Sequence, residues 1–331
     1  MKKSFFMVIL LFVVMLSACS KKEESKISEP QVKMKSIYLI TYKEDQYYTN
    51  NHIKRLKEFL SKNNFQENKD YYLKILSAQS DMSIIPMLVD KAKNDKPDLL
   101  ITFHSAVLYA AINRANELKK VFSIVANPFI LGVGKSDTDH LANITGCYND
   151  DPIFQLISFS KEAVPSIKKI GLIYMLGEEE SEYLKNEVIA EAKKNNVTIE
   201  AQPYTEQNGI TEAVNSLLTK KIDAVIHMAD LNGDISYQIL SKKTFENKIP
   251  FLAYWNEENS KALIVCEDDD SSDFNEFANL SLRILQGADP TKIPFINTSS
   301  SNKFFINKKV AESMGIHISE NALKKADKII E

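Results

Sequence analysis

Several polar side chains follow apolar runs of this sequence, and their types suit the binding of a small charged solute. Asp230 comes after the run 224–228, and a carboxylate at that place would pair with an ammonium group. Ser105 opens a helical pattern after the run 98–102, where its hydroxyl and the N-terminal N–H groups of the helix could hold an anion. We therefore take both as candidate ligand-binding residues.

Four further candidates offer rings or hydroxyls at the ends of other predicted strands. Tyr254 and Trp255 close the run 250–254, and a flat ring there could stack on an aromatic or cationic ligand. Thr41 and Tyr42 come at the end of the first predicted strand. The structural alternative for each of the four is packing.

A second candidate for holding an anion is the sequence Asn-Ile-Thr-Gly at 143–146, with Asn143 and Thr145 as its polar members. The alternative stays open here, because Asn-x-Thr-Gly forms a good turn by itself. Ser105 and Asp230 also have one, since both residue types cap helix N-termini.

The acidic residues 267–270, followed by Asp273, raise the question of a metal site. As a calcium loop beginning at Asp268, this segment has Asp273 where glycine is required and Asn279 where a bidentate Glu belongs. The favoured interpretation is a solvated hinge or an acidic helix start. The alternative is a cleft that selects a cationic solute. We predict no metal ion and no other cofactor.

Composition and motifs exclude several classes of protein. The chain has 331 residues, 44% of them hydrophobic, which is enough for two core-bearing units. Only three of its 41 basic residues are Arg and the net charge is -3, so a nucleic-acid partner is not expected. The sequence contains no H-E-x-x-H, no G-x-S-x-G, no P-loop and no G-x-G-x-x-G, so we do not expect an enzyme.

Strand and helix patterns alternate from residue 36 onward. Strands are predicted at 36–41, 71–76, 98–102 and 121–125, with helices at 51–60, 82–93 and 105–113. The pattern then restarts, with helices at 153–163, 181–194, 210–219 and 237–245 and strands at 169–174, 198–201, 224–228 and 250–254. The predicted fold class is α/β, with two doubly wound parallel-sheet lobes whose strand ends face each other across a cleft. Cys147 and Cys266 are expected to be isolated buried thiols, although a disulfide is arithmetically possible.

The N-terminus has the pattern of an export signal. A basic pair precedes an uninterrupted apolar run at 5–16, which is too short for a transmembrane helix. The run ends in Leu16-Ser17-Ala18-Cys19, which resembles the lipobox of bacterial lipoproteins. We expect residues 1–18 to be a signal peptide, Cys19 to carry a lipid and residues 20–35 to form a flexible tether. The alternative is an ordinary signal peptide in which Cys19 is incidental.

Four stretches of the sequence together resemble a known family. They are KPDLL at 96–100 with HSA at 104–106, SIVANP at 123–128 with Gly132, NITG at 143–146, and KIGLIY at 169–174. In their order and spacing they resemble the lipid-anchored substrate-binding proteins of bacterial ABC importers with the type I periplasmic-binding fold. The tryptophan- and tyrosine-binding lipoproteins are the most similar group, and the likeness extends from Ile37 to Ile316.

This resemblance implies a monomeric, exported receptor that closes by hinge motion on a small solute and delivers it to an ABC permease and its ATPase. The implied ligand is an amino acid, aromatic ones included, with a modified amino acid, an amine or a nucleobase-like compound as alternatives. The resemblance also implies that the chain crosses between lobes near Tyr148, near Glu267 and near the C-terminal segment. The expected lobes are 36–148 plus 268–298 and 149–267 plus 299–331.

Departures from the family pattern add three candidate ligand-binding residues. The family's Gly-Thr-Pro is Phe103-His104-Ser105 here, its Asp before Pro is Asn127, and its Tyr-Gly-x-Asp-Tyr is the segment 266–270, which contains Glu267. The resemblance places His104, Asn127 and Glu267 at the cleft rim. Because fold does not fix function, the alternative is a surface sensor or adhesion lipoprotein that uses the same fold without transport.

Overall fold

The structure is a computed structural model that describes residues 34–44, 49–149, 153–228, 230–255, 260–267, 271–299 and 302–331, without the side chains of 271–273. The predicted signal peptide and Cys19 lie outside the described residues. Lys35, which the sequence analysis placed in the tether, is instead the first residue of a strand. Its N–H donates to the Asp70 carbonyl at 2.8 Å, and its ammonium group pairs with Asp98.

The described elements include every strand and helix that the sequence patterns predict, together with five strands and three helices that they do not predict. The strands are β1 Lys35–Thr41, β2 Tyr71–Ser77, β3 Leu99–Phe103, β4 Lys120–Ser123, β5 Ile144–Tyr148, β6 Lys169–Met175, β7 Thr198–Tyr204, β8 Ala224–Ile226, β9 Phe251–Tyr254, β10 Ile264–Glu267, β11 Ile296–Asn297, β12 Lys303–Asn307 and β13 Lys328–Ile330. The helices are α1 Thr49–Lys62, α2 Ile85–Asp95, α3 Ser105–Arg114, α4 Ile153–Ala163, α5 Glu179–Lys194, α6 Ile210–Leu218, α7 Gly233–Glu246, α8 Ser271–Leu285, α9 Lys308–Met314 and α10 Glu320–Lys325.

These strands form two sheets. The first has the order β11-β5-β4-β3-β1-β2, and its strand pairs are all parallel. The second has the order β13-β12-β10-β9-β8-β6-β7 and is parallel except between β10 and β12. We call the first sheet with its helices lobe 1 and the second sheet with its helices lobe 2. The predicted α/β class with two doubly wound, mostly parallel sheets is confirmed.

Helices cover both faces of each sheet, so the central strands are buried on both sides and read as continuous apolar runs. In β3, Leu99 and Ile101 pack towards α1 and α8, and Leu100 packs towards α2 and α3. In lobe 2, Ile170 packs towards α4 and α5, whereas Val225 packs towards α6 and α7. This alternation holds the carboxyl ends of the strands in place.

The chain changes sheets at three places. It leaves lobe 1 between Tyr148 and α4, returns between Glu267 and α8, and leaves again between β11 and β12. Cys147 lies in β5 and Cys266 in β10, both as buried thiols in different sheets. No helix among the described residues is long and apolar enough to cross a membrane.

Candidate ligand-binding cleft

Residues that follow the carboxyl ends of the central strands bring the two lobes together. Ser105, after β3, donates a hydrogen bond to the carboxylate of Glu180 in the first turn of α5. Lys43, after β1, forms an ion pair with Asp234 in the first turn of α7. Doubly wound sheets bind ligands outside these strand ends. We call the space between the two rims the interlobe cleft.

Three donors of lobe 1 converge on one carboxylate of lobe 2. Besides the Ser105 hydroxyl, the N–H groups of Ala126 and Asn127 donate to Glu180 Oε1 at 2.7 and 3.2 Å. The Asn127 amide also donates to the hydroxyl of Tyr183 in α5 at 3.1 Å. We call the donors of Ser105, Ala126 and Asn127 the anion cradle. Ser105 is thus a donor to a carboxylate, as the sequence analysis proposed, but the carboxylate belongs to the protein itself.

The backbone at three of these strand ends is unusual. His104, Ile124 and Trp255, which follow β3, β4 and β9, have φ values of 73°, 61° and 53°. Bulky residues rarely adopt this left-handed region, and such residues cluster at ligand clamps. His104 is buried, and its ring nitrogen Nδ1 lies 3.4 Å from Thr41 Oγ1. It therefore packs at the carboxyl ends of β1 and β3.

Asp230 lies at the rim of lobe 2, at the centre of a polar cluster. It accepts from the Tyr204 hydroxyl at 2.6 Å and the Asn232 N–H at 3.1 Å, and Ser181 Oγ is 3.4 Å away. Burial raises the pKa of Asp230 to about 6, although the Tyr204 hydrogen bond and the charge of Lys43 oppose the rise. The contact with the Asn232 N–H closes the turn before α7, but the N-cap of that helix is Asn232, so Asp230 does not cap it.

Glu178 adds a buried carboxyl beside the half-buried Asp230. Its Oε2 accepts from the Ser181 N–H at 2.6 Å and so caps α5, while its side chain is 1% exposed. Burial, followed by the charges of Glu180 and Asp230, raises the pKa of Glu178. Burial likewise raises the pKa of Glu180, although its hydrogen bonds from the anion cradle oppose the rise. The rim of lobe 2 therefore concentrates carboxyl groups with limited access to water, of which Glu178 is buried and Glu180 and Asp230 are half-buried.

Thr41 and Tyr42 face this cluster from lobe 1. The Tyr42 side chain is 1% exposed and its hydroxyl donates to the Ser80 carbonyl at 2.9 Å. Burial raises the pKa of Tyr42, while a hydrogen bond with the Asn232 side chain lowers it, so the ring reaches lobe 2. Thr41 is buried and donates to the Lys43 carbonyl at 2.7 Å, which makes it a support for the backbone at this rim.

Trp255 belongs to an aromatic cluster behind the rim of lobe 2. Its ring stacks on Tyr237 with centroids 5.8 Å apart and meets His227 and Tyr254 edge-on at 4.7 and 5.3 Å. Burial lowers the pKa of His227 to about 4, so this imidazole is neutral near pH 7. Both Tyr254 and Trp255 are half-buried. They could wall a ligand, but much of the Trp255 ring is already packed.

The structure does not bring Asn143 and Thr145 to the cleft. Residues 144–146 form the start of β5 and not the predicted turn, so both residues lie at the amino edge of the sheet. The Asn143 N–H donates to Thr291 Oγ1 at 3.0 Å, and the buried Thr145 donates to the Pro294 carbonyl at 3.2 Å. Their polar groups serve packing of the loop before β11.

A separate pocket of about 370 Å³ lies beside Asn143 at this amino edge. Its one buried cation is Lys120, which donates to the carbonyls of Ala115, Asn116 and Leu118 at 2.7–3.1 Å. Burial lowers the pKa of Lys120 to about 8. Because carbonyls at the end of α3 take its three N–H donors, Lys120 holds that end and is not placed to bind a solute.

Glu267 ends β10 opposite Lys303 of the antiparallel neighbour β12 and is half-buried. The three acidic residues after it lie outside the described residues. Within the described part of the chain, no group of three His, Cys, Asp or Glu is placed to hold a metal ion.

Sequence analysis missed the carboxyl groups that dominate lobe 2. Glu178 and Glu180 come shortly after β6, at the N-cap and in the first turn of α5, and a similar placement singled out Ser105 and Asp230. Considering every polar residue that follows a predicted strand would have identified both. The neighbouring acidic residues instead suggest a solvated helix N-terminus, where negative side chains are common.

The fold and the cleft define a two-lobed binding protein of the type I periplasmic-binding class. A profile described as ABC transporter substrate binding protein matches residues 49–330. The chain therefore belongs to the family of ABC transporter substrate-binding proteins. This is a family of binding proteins and not a class of enzymes.

Known proteins resemble the chain over most of its length. A tyrosine-binding protein of Clostridioides difficile is 26% identical over 311 residues, covering 92% of this chain and 89% of that protein. A structure from Streptococcus pneumonia in complex with L-Trp is 20% identical with a TM-score of 0.77, covering 90% and 100% of the two chains. The ligand-free, open structure of a Clostridium difficile substrate-binding protein with adhesive properties is 21% identical with a TM-score of 0.63, covering 90% and 99%. Both structures share the fold.

Proposed function

We propose that this protein binds a small polar solute in the interlobe cleft and delivers it to an ABC permease with its ATPase. The observation that carries this proposal is the meeting of an anion cradle from lobe 1 with buried and half-buried carboxyl groups from lobe 2 at the strand ends. A cleft with both kinds of group suits a small charged molecule. The lobes would comprise 36–148 plus 268–298 and 149–267 plus 299–331.

The first ligand class for this proposal is an amino acid or a related amine or heterocycle. Support comes from the tyrosine-binding relative and from the Trp-bound structure of the same fold. Within the cleft, we assign ligand contacts to Asp230 and Tyr42, with His104, Tyr254 and Trp255 as walls. Ser105 and Asn127 border the same space but donate to Glu180 of lobe 2. Glu267 stays a candidate at the second crossing between lobes.

We further propose that the protein is exported and held at the outer face of the cell membrane by a lipid on Cys19, and that it acts as a monomer. The basic pair, the apolar run and the Ser-Ala-Cys sequence support lipidation. In cells of the native organism, Cys19→Ala should release the exported protein from the membrane fraction. Continued membrane attachment of this variant would show that the anchor is elsewhere.

The test of binding is a thermal-shift screen of the purified protein against amino acids, amines, nucleobases and vitamins. A ligand that binds only the folded protein raises the melting temperature with the logarithm of its concentration. Absence of any shift across the panel would contradict the proposal. An assay of ligand uptake by cells then distinguishes import from the sensor or adhesion alternative. Deleting the gene should abolish uptake of the ligand if the protein serves transport, and should leave uptake unchanged if it does not.

A further inference from the structure

We propose that the ligand of the interlobe cleft is a small organic primary amine without a carboxylate, because Glu180 fills the anion cradle itself. The inference rests on the proposed function, since it names the ligand class of that same cleft. The proposed function allows both amino acids and amines as ligands, and this inference selects the amines.

The first step concerns the anion cradle. An amino acid offers a carboxylate and an ammonium group, and its carboxylate needs hydrogen-bond donors when it leaves water. The donors of Ser105, Ala126 and Asn127 all bond to Glu180. A ligand carboxylate would have to displace Glu180 from them and then sit beside its negative charge. A ligand with no carboxylate meets neither obstacle.

The second step concerns the charges around the cleft. Lobe 2 contributes the carboxyl groups of Glu178, Glu180, Asp230 and Asp234. Among the described residues, the cation shown to act on this group is Lys43, which is already paired with Asp234. Burial raises the pKa values of Glu178, Glu180 and Asp230, and a bound ammonium group would supply the positive charge that these three carboxyl groups lack.

The third step concerns acceptors without donors. Glu178 Oε1 and Asn232 Oδ1 have no hydrogen-bond partner in the described part of the chain, and the two side chains are 1% and 0% exposed. Both residues border Asp230 and interact with Tyr42 of the opposite lobe. Buried acceptors of this kind require a donor. A primary ammonium group brings three N–H donors and a positive charge, so it satisfies the acceptors and the charge together.

The test compares amine and amino-acid pairs that differ only in the carboxylate. Isothermal titration of the protein with tyramine and tyrosine, tryptamine and tryptophan, and histamine and histidine measures the two affinities for each side chain. We expect at least one amine to bind, more tightly than its amino acid by about ten-fold or more, which is about 1.4 kcal/mol. Amino acids that bind more tightly than their amines would overturn the inference and leave the proposed function standing. A lack of binding by every member of the three pairs would overturn the inference, and a shift with another compound of the wider panel would still support the proposed function.

Variants of Glu180 test the cause. Glu180→Ala frees the anion cradle and should reduce the preference for the amine by about ten-fold. Glu180→Gln keeps the size of the side chain but removes its charge, so it should shift the preference in the same direction if Ala at this position fails to fold. The matched control is Glu179→Ala, which removes an exposed carboxylate from the same turn of α5 and should keep the wild-type preference. An unchanged preference in folded Glu180 variants, or an equal shift in the Glu179 variant, would contradict the role of Glu180.

Discussion

The rims of the two lobes are built alike and charged differently. Each consists of residues that follow the carboxyl ends of parallel strands, yet lobe 1 presents donors at Ser105, Ala126 and Asn127 whereas lobe 2 presents the carboxyls of Glu178, Glu180 and Asp230. The same architecture thus carries opposite chemistry on its two sides. Glu180 bonds directly to lobe 1, whereas the hydrogen bonds described for Glu178 and Asp230 stay within lobe 2. If Asp230 binds the ligand as proposed, contact between the lobes and ligand binding use neighbouring groups of the same charged rim.

The largest expected effect comes from removing charge at the rim of lobe 2. Asp230→Asn keeps the shape and the contact with Tyr204 but removes the negative charge available to a cationic group. Loss of one partner from a buried charge pair costs about 2–5 kcal/mol, so ligand affinity in isothermal titration should fall by about thirty-fold or more. Glu187→Gln, an exposed position on α5, is the control. Affinity equal to wild type would remove Asp230 from the site.

The second effect concerns stability of the unliganded protein as pH changes. Burial raises the pKa of Asp230 from 3.8 to about 6 and also raises the pKa of Glu178. The folded state therefore keeps protons that the unfolded state releases, and this contribution is complete below pH 3.8 and is lost as pH rises through about 6. Relative to wild type, Asp230→Asn and Glu178→Gln should become more stable as pH increases from 4 to 8.

Melting temperatures across that pH range check this prediction without ligand. The control Glu179→Gln changes a carboxyl group that is exposed on the same helix turn, and it should follow the wild-type curve. Parallel curves for wild type and both buried-site variants would mean that lobe 2 does not hold its carboxyl groups in a poorly solvated place.

Much of the fold could be predicted because β3, β6, β8 and β9 are apolar runs followed by helical periodicity. The limits are visible at the sheet edges and the C-terminus. Strand β7 extends to Tyr204, beyond the predicted 201, because an edge strand tolerates Gln202 and Pro203. Strands β12 and β13 went unpredicted, since β12 is held by pairing with β10 and β13 by pairing with β12, and not by a strong apolar pattern.

The site was less predictable than the fold, for a reason that Glu180 illustrates. Ser105, Asp230 and Trp255 could be chosen because they follow predicted strands. The sequence does not show whether a carboxylate in the first turn of a helix faces water or the opposite lobe. That distinction arises from lobe packing, which brings Glu180 to the N–H groups of Ala126 and Asn127. The error at Asn143 has a different cause. The short run Ile-Thr-Gly-Cys-Tyr contains Gly146, which reads as a turn residue, yet the strand needs it because a Cβ there would lie 2.4 Å from the Phe122 carbonyl.

The third effect tests the donor side of the comparison. Ser105→Ala removes one donor to Glu180 and leaves the two N–H groups in place. A net loss of about 1 kcal/mol for such a hydrogen bond corresponds to roughly a five-fold shift from closed to open lobes. Fluorescence energy transfer between dyes on the two lobes measures this shift in the unliganded protein. Ser158→Ala, at an exposed serine on α4, should leave the transfer efficiency unchanged. An identical response of both variants would show that the cradle does not hold the lobes together.

The smallest effect is expected at the edge of the cleft, where Lys43 pairs with Asp234. The two side chains are 15% and 45% exposed, so water and salt screen their attraction. Lys43→Gln should shift closure by at most about 1 kcal/mol, and the shift should diminish as salt is added. The control is Arg114→Gln, which breaks a pair with Asp90 inside lobe 1 at 45% and 43% exposure and should not move the lobes. Lys43→Gln could instead open the lobes more than Ser105→Ala does. In that case the ion pair at the edge of the cleft, and not the hydrogen bonds of the anion cradle, would govern closure of the lobes.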